Sequence, residues 1–292
     1  MADVAISLVN TNSRELLLAC LDSLRDVDAE VVVLDNASED GSAEAVRERF
    51  PEVRLIAQAH RAGFGANHNT VIRATTSRYV YVLNEDTTSE DWALDRLAAH
   101  LDANPRVAAL GPRLVYPDGR LQDSAWRFPT PAVAALGLAT LGRAAVTQSG
   151  GMATRDVDWA RGAALLVRRE ALEDVGGFDE AFFLYAEETD LMTRWRRRRW
   201  SLLYEPRAEV VHEGGRSGGD ALFGQLHASL VRYALKHHGR AAARFSGAVL
   251  DAGAALRYAA ALVTPGARGR SRRRRYRSAM QRRSAVAAVP IR

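Results

Sequence analysis

An α/β fold with a mostly parallel central sheet and helices on both faces is predicted by three features of the sequence. Short apolar runs alternate with segments of helical periodicity from residue 4 to residue 84. Most of these runs are apolar at consecutive positions, as strands covered on both sides are. Three of them end in polar clusters, namely Asn10 to Asn12, Asp35-Asn36 and Asn84-Glu85-Asp86. Ligands bind parallel sheets at the carboxyl ends of the strands, so the three clusters are expected to form one site. The plainer alternative for any one cluster is a loop that begins where a strand ends.

The elements follow in order. "VAISLVN" (4–10) is the first strand, and in "SRELLLACLDSLRD" the residues Leu16, Leu17, Cys20, Leu21 and Leu24 recur at helical spacing behind Ser13 as N-cap. "EVVVLDNAS", "VRLIAQ" and "RYVYVLN" give three further strands, separated by the helices "DGSAEAVRERF" and "GANHNTVIRATT". Residues 111–160 read as irregular, with a Pro-Asp-Gly turn at 117–119 inside a hairpin and a weakly periodic Ala/Gly/Leu stretch at 131–146. Then come a strand (163–168), a helix (169–175), a turn at Gly176-Gly177, a helix from about 187, and a strand pair around 201–211. Helical patterns at 221–238 and 241–263 precede an arginine-rich tail.

At 292 residues the chain can bury one sizeable core and a second small one. The single Cys20 excludes an internal disulfide and fits a reducing compartment, and the start "MADVAISLVNTN" lacks the plan of a signal peptide, so a cytoplasmic location is expected. A hydrophobic content of 47% with 26% charged residues is that of a globular protein. No stretch approaches the roughly 18 uninterrupted apolar residues of a membrane span, because 241–263 is interrupted by Arg244, Asp251 and Arg257. The net charge of +5 resides in "ARGRSRRRRYRSAMQRR", which holds nine arginines and no acidic residue. That tail has only Tyr276 to stack on a base and the rest of the chain is not basic, which argues against nucleic-acid binding despite a pI near 9.7.

Five segments in order, "SLVNTNSRELLLACLDSL", "VVVLDNASEDGS", "AGFGANHNT", "YVLNEDT" and "VGGFDEAFFLYAEETDLMTRW", followed by "EVVHEGG", resemble a family-2 glycosyltransferase of the GT-A fold, in its bacterial rhamnosyltransferase-like branch. The resemblance spans roughly residues 4–218. It implies a Rossmann-like GT-A domain over 1–218, with a nucleotide-binding half at about 1–110 and an acceptor-binding half at about 111–218. C-terminal helices at 219–264 and the tail at 265–292 lie outside it.

The resemblance also implies roles. Asp86 matches the family's metal-binding aspartate, where a divalent Mg²⁺ or Mn²⁺ would neutralise a nucleotide diphosphate. His212 is by spacing alone more readily structural, but the resemblance makes it the second metal ligand. Glu85 stands where the family more often has proline, and some members contact the ribose there. Asp35 matches the aspartate that hydrogen-bonds the nucleotide, with Asn12 and Asn84 at the same edge. Arg61 replaces a common asparagine and either reaches the diphosphate or is solvated. Gly63 and Gly65 would allow close approach to a nucleotide sugar.

In "YAEETDL", Glu187, Glu188 and Asp190 are either favourable charges in a helix first turn or contain a general base. The resemblance selects Glu188, where the family more commonly has aspartate, and leaves Glu187 and Asp190 in the acceptor pocket. Gly162 is expected beside a sugar, and Trp159 either stacks on one or lies in the core. The run "RWRRRRW" (194–200) reads as a solvated face with inward tryptophans that also forms a basic wall. The implied activity is inverting, metal-dependent transfer from dTDP-rhamnose or a UDP-sugar to a glycan or lipid-linked acceptor. The C-terminal region would meet an anionic membrane surface at the inner face of the cell membrane. The rival from another class is a nucleotide-sugar-binding protein without turnover, which would be expected to lack the base or a metal ligand.

Overall fold

The structure, a computed structural model, describes residues 3–139, 147–214 and 220–286. Its first seven elements follow the predicted alternation: β1 (Val4–Asn10), α1 (Arg14–Ser23), β2 (Glu30–Asp35), α2 (Ser42–Arg49), β3 (Arg54–Ala57), α3 (Phe64–Ala74) and β4 (Tyr79–Asn84). The four strands pair in parallel in the order β3-β2-β1-β4. Register places Asn10 opposite Asp35 and Val9 opposite Asn84, so the three polar clusters emerge at one sheet edge.

The chain continues through β5 (Thr87–Thr88), α4 (Leu94–Ala103), β6 (Val107–Val115), β7 (Leu121–Gln122), β8 (Ala125–Trp126) and α5 (Pro131–Ala139). Next come β9 (Arg155–Asp156), β10 (Trp159–Ala160), β11 (Ala164–Arg168), α6 (Arg169–Val175), α7 (Glu187–Arg197) and β12 (Ser201–His212). β11 runs antiparallel between β4 and β6, and β12 lies parallel to β6. β6 and β7 form the hairpin that the Pro-Asp-Gly signal predicts. The part of the Ala/Gly/Leu stretch at 140–146 lies outside the described residues.

One side of the sheet is covered by α1 and α4. Ile6, Leu8, Tyr81 and Leu83 pack there with Leu17, Leu21, Leu97 and Leu101, all buried. Each such aliphatic side chain contributes about 1.5–3 kcal/mol when removed from water. On the other side Val32, Leu34 and Val71 form a second cluster. Ser7 also faces α3, with its hydroxyl 2.8 Å from His68 Nδ1. Burial drives the pKa of that histidine down to about 3, so it packs as a neutral ring against Phe64 and Phe178.

Three expectations are corrected. Ser13 occupies the N-cap position of α1 but caps nothing with its side chain; the Arg14 N–H instead donates to Asp40 Oδ2 at 2.9 Å. The strand pair around 201–211 is one strand, β12, whose register shifts between Glu205 and Glu209 where Pro206 cannot donate to a ladder. The arginine-rich tail is helical over α9 (Gly266–Val286), following α8 (Asp220–Leu262). Arginine is a good helix former, so a basic segment packed on another helix need not be irregular. Inside α8, Gly239 takes φ 84°, which divides the element at the boundary between the two predicted helical patterns.

The described residues form two compact units. The first holds 3–127, 147–183 and 187–214, and the second holds 128–139, 184–186 and 220–286. Among the described residues no helix is long and apolar enough to cross a membrane.

Candidate active site

Asp86 and His212 are 126 positions apart in sequence and are brought together by one short ladder. β5 pairs antiparallel with the end of β12, so that Thr87 lies opposite His212. Asp86 Oδ1 then lies 3.3 Å from His212 Nε2. The Gly214 N–H donates to Asp86 Oδ2 at 3.2 Å, and the Glu213 N–H donates to the Asp86 carbonyl at 3.0 Å. Gly214 has φ 60°, and a Cβ there would lie 3.0 Å from Gln122 Nε2, so both the backbone and the close side chain favour glycine. Burial opposes ionisation of Asp86, but His212, whenever its ring is charged, and the Gly214 N–H outweigh it and hold the carboxyl below its ordinary range.

The other face of the imidazole is fixed by Gln122, a residue the sequence reading did not single out. Its Oε1 atom is 2.5 Å from His212 Nδ1. A carbonyl oxygen only accepts, so Nδ1 carries the proton and Nε2 presents its lone pair towards Asp86. Asp86 Oδ1 is a buried oxygen without an aligned hydrogen bond. A carboxylate oxygen and an imidazole nitrogen, both unsatisfied and side by side, fit a divalent cation whose remaining ligands come from outside the protein. Among the described residues no group of three His, Cys, Asp or Glu side chains forms a closed metal cage.

Glu85, beside Asp86, is partly buried, and burial followed by the Asp86 charge pushes its pKa up to about 7. At the neighbouring strand end, Asp35 Oδ1 accepts from Asn10 Nδ2 at 3.2 Å and Oδ2 accepts from the Ser38 N–H at 3.0 Å. Each oxygen keeps a second lone pair for a ligand. Asn12, with φ 55°, turns its Oδ1 to the Glu39 N–H at 2.7 Å and so shapes this loop. Asn36 ties the same edge to the loop before α3 through the Ala62 N–H, at 2.8 Å. Arg61 on that loop is exposed, with no ion pair among the described residues.

The carboxylates at the start of α7 divide sharply. Asp190 is 0% exposed and paired with Arg194 at 2.8 Å, and Glu187 is 2% exposed. Both lie beneath the surface. Burial, followed by the charge of Glu188, raises the pKa of Glu187 well above the ordinary range. Glu188 is partly exposed; burial raises its pKa, opposed by hydrogen bonds from its own N–H and that of Gly162 and by the charge of Arg161.

Gly162 and Ala163 connect the two halves. The Gly162 N–H lies near the Glu188 carboxyl and favours its charged form, and the Ala163 carbonyl accepts from the Asn84 N–H at 2.9 Å, at the end of β4. Glu188 therefore sits beside the strand end that carries Glu85 and Asp86. A Cβ on Gly63 would lie 2.5 Å from the Phe183 carbonyl, and one on Gly162 would lie 3.1 Å from the Phe64 ring. Both glycines accommodate the chain's own packing.

Trp159 stacks on Trp126 with ring centroids 4.5 Å apart, and Arg161 lies over the Trp126 ring at 5.3 Å. Trp126 escaped the sequence reading because its strand is two residues long. In the basic run at the end of α7, Arg194 pairs with Asp190, Arg196 with Asp156, and Trp195 and Trp200 are buried, while Arg197, Arg198 and Arg199 are exposed.

Polar strand ends that gather Asp35, Asp86 and His212 at one edge of a parallel sheet, with the partly exposed Glu188 nearby, fit an α/β enzyme that takes its ligand at the carboxyl ends of its strands. The sequence matches the family Glycosyl transferase family 2 over residues 4–175, and the chain belongs to that family. It is 32% identical over 225 residues to an N-acetylglucosaminyl-diphospho-decaprenol L-rhamnosyltransferase of Mycobacterium tuberculosis, covering 70% of this chain and 73% of that protein. A pre-mycofactocin glycosyltransferase of the same organism is 28% identical over 216 residues, covering 72% of this chain and 43% of that one. Among solved structures, the mannosyltransferase PcManGT from Pyrobaculum calidifontis, in complex with GDP-Man and Mn²⁺, aligns with a TM-score of 0.58 at 20% identity, covering 98% of this chain and 87% of that one. GalNAc-T7 with UDP, GalNAc and Mn²⁺ aligns with a TM-score of 0.57 at 15% identity, covering 79% and 47%. The fold is GT-A and the protein is a glycosyltransferase.

Proposed function

We propose that this glycosyltransferase inverts the anomeric centre of a nucleotide-diphosphate sugar as it transfers the sugar to an acceptor hydroxyl. Glu188 takes the hydroxyl proton, the acceptor oxygen bonds to the anomeric carbon, and the bond from that carbon to the diphosphate oxygen breaks with its electron pair leaving on the diphosphate. No covalent sugar–enzyme intermediate forms. Asp86 Oδ1 and His212 Nε2 would hold a divalent cation, Mg²⁺ or Mn²⁺, whose charge when bound offsets that of the diphosphate.

The observation that carries this reading is the Gly162-Ala163 link, which ties the proton acceptor to the strand end bearing the cation ligands. A base on one side of a reacting carbon and charge stabilisation on the other is what in-line displacement needs. Asp35, Asn12 and Asn84 would hold the nucleotide, with Arg61 free to reach its phosphates and Glu85 beside the ribose. Trp159, with its partner Trp126, would offer an apolar face to the acceptor.

The mycobacterial relative supports L-rhamnose as the sugar and a polyprenyl-diphosphate-linked N-acetylglucosamine as the acceptor; the donor we assign is dTDP-rhamnose. With such an acceptor the enzyme would work peripherally at the inner face of the cell membrane, in cell-envelope polysaccharide synthesis. The test is a transfer assay with dTDP-rhamnose and UDP-sugars, with Mg²⁺ or Mn²⁺, on a lipid-linked N-acetylglucosaminyl diphosphate. Rhamnose transfer to that lipid supports the reading; transfer only of another sugar overturns the donor assignment.

A further inference from the structure

Glu187 and Glu188 are neighbours at the start of α7, and each has a buried oxygen, Oε2, without a hydrogen bond among the described residues. Two carboxyls so placed resist ionising together and titrate as a pair. The transfer reaction needs the charge on one of them, and the surroundings of the pair decide which.

The deciding charge comes from the link between β10 and β11. β10 pairs with β8, with Trp159 opposite Trp126 and Ala160 opposite Ala125. It also packs on α7, where the Ala160 N–H donates to Met192 Sδ at 3.1 Å. Met192 is one helical turn beyond Glu188 and shares its face of α7. Arg161, the residue after Ala160, is thereby brought beside Glu188, and its charge favours the ionised form of that carboxyl. On Glu187, burial and the Glu188 charge act in the same direction, with no cation among the described residues to offset them.

Arg161 is itself held from three sides. Its backbone N–H donates to the Ser124 carbonyl at 2.8 Å, its Nη2 donates to the Asp123 carbonyl at 3.4 Å, and its Cζ lies 5.3 Å from the centroid of the Trp126 ring. Carbonyls and an aromatic face attract a guanidinium without neutralising it. The nearby carboxylates act elsewhere: Asp123 is exposed to water, Asp158 acts on Arg196, and Asp190 pairs with Arg194. At the strand end across the site stand Glu85 and Asp86, the latter held by His212 and the Gly214 N–H. We propose that Arg161 is a positioning residue for the transfer reaction: anchored on Trp126 and the backbone of 123–124, it supplies the positive charge that makes Glu188, and not Glu187, the carrier of the negative charge. This deepens the reading of Glu188 as the base and rests on it.

The experiment uses the full chain, its glutamates labelled with carbon-13 at the side-chain carboxyl. The carboxyl resonances are followed against pH in the native chain, in Arg161→Gln and in Arg161→Lys; loss of a signal in Glu187→Gln or Glu188→Gln assigns the pair. In the native chain Glu188 should ionise at lower pH than Glu187. Removing a cation disfavours the carboxylate, so a higher pH is needed to form it, and Arg161→Gln should move the Glu188 midpoint up by about one pH unit. Arg161→Lys keeps the charge and should restore most of that change. In the transfer assay, kcat of Arg161→Gln should reach its plateau about one pH unit later than in the native chain, with the KM for the acceptor little changed. An unmoved Glu188 midpoint in Arg161→Gln, or a lysine variant that titrates like the glutamine one, overturns the proposal. So does a raised acceptor KM with an unmoved titration, which makes Arg161 a ligand of the acceptor only. Near-native transfer by Glu188→Gln, with the titration displaced as expected, counts against the base reading alone.

Discussion

Gln122 Oε1 accepts a hydrogen bond from His212 Nδ1 at 2.5 Å, and through it the nitrogen on the far side of the ring faces Asp86 with its lone pair available. Partners of this kind set the tautomer of a ligating histidine, and their loss typically costs 10–100-fold in metal affinity. Gln122→Leu should therefore raise the Mn²⁺ concentration needed for half-maximal transfer by about that factor. Titration of activity against Mn²⁺ reads it directly. An unchanged midpoint would mean that the glutamine merely fills space.

Gly63 meets the Phe183 backbone, so Gly63→Ala must push apart α3 and the segment before the Glu187-Glu188 pair. Overpacking of this kind costs about 1–3 kcal/mol. Gly150, which has open space where a Cβ would lie, provides the comparison, and Gly150→Ala should change stability by less than about 0.5 kcal/mol. Urea unfolding of both variants distinguishes them. Equal stability would remove the packing explanation for Gly63.

Glu187 is buried beside Glu188 and its pKa is raised in the folded state. Below the ordinary carboxylate range both folded and unfolded chains are protonated, and the group contributes nothing to the pH dependence. As pH rises through that range the unfolded chain releases its proton first, so the folded state loses stability until its own raised pKa is passed. Glu187→Gln should accordingly be more stable than the native chain at pH 7 and lose that advantage towards pH 4. Melting temperatures across this range check the sign; a gain that grows towards low pH would contradict it.

The β1-to-β4 half of the sheet was legible because each strand is a compact apolar run and each helix has its own periodicity. The second half was less so for local reasons. Pro206 within "YEPRAEV" reads as a break, yet β12 absorbs it as a shift in register. The arginine-rich segment reads as a tail because its sequence has no apolar period, while its helix is set by packing against α8.

The site shows the same division. Asp86, His212 and Glu188 stand in motifs, but Gln122 reaches His212 only because β7 pairs with β6 and β6 with β12, which no local pattern announces. Gly63 and Gly162 announce that something comes close without saying what, and Phe183 and Phe64 supply the answer. Asp190 resembles its acidic neighbours in sequence and is separated from them by its ion pair with Arg194.

The most direct test of the proposed chemistry is the Glu188→Gln variant, with transfer and donor binding measured side by side. An amide of the same shape cannot take the acceptor proton, and loss of a positioned base costs about 10²–10⁴ in rate. The account predicts that transfer to the lipid-linked acceptor falls by that order while binding of dTDP with Mn²⁺ stays native. Transfer within a few fold of the native rate would contradict it.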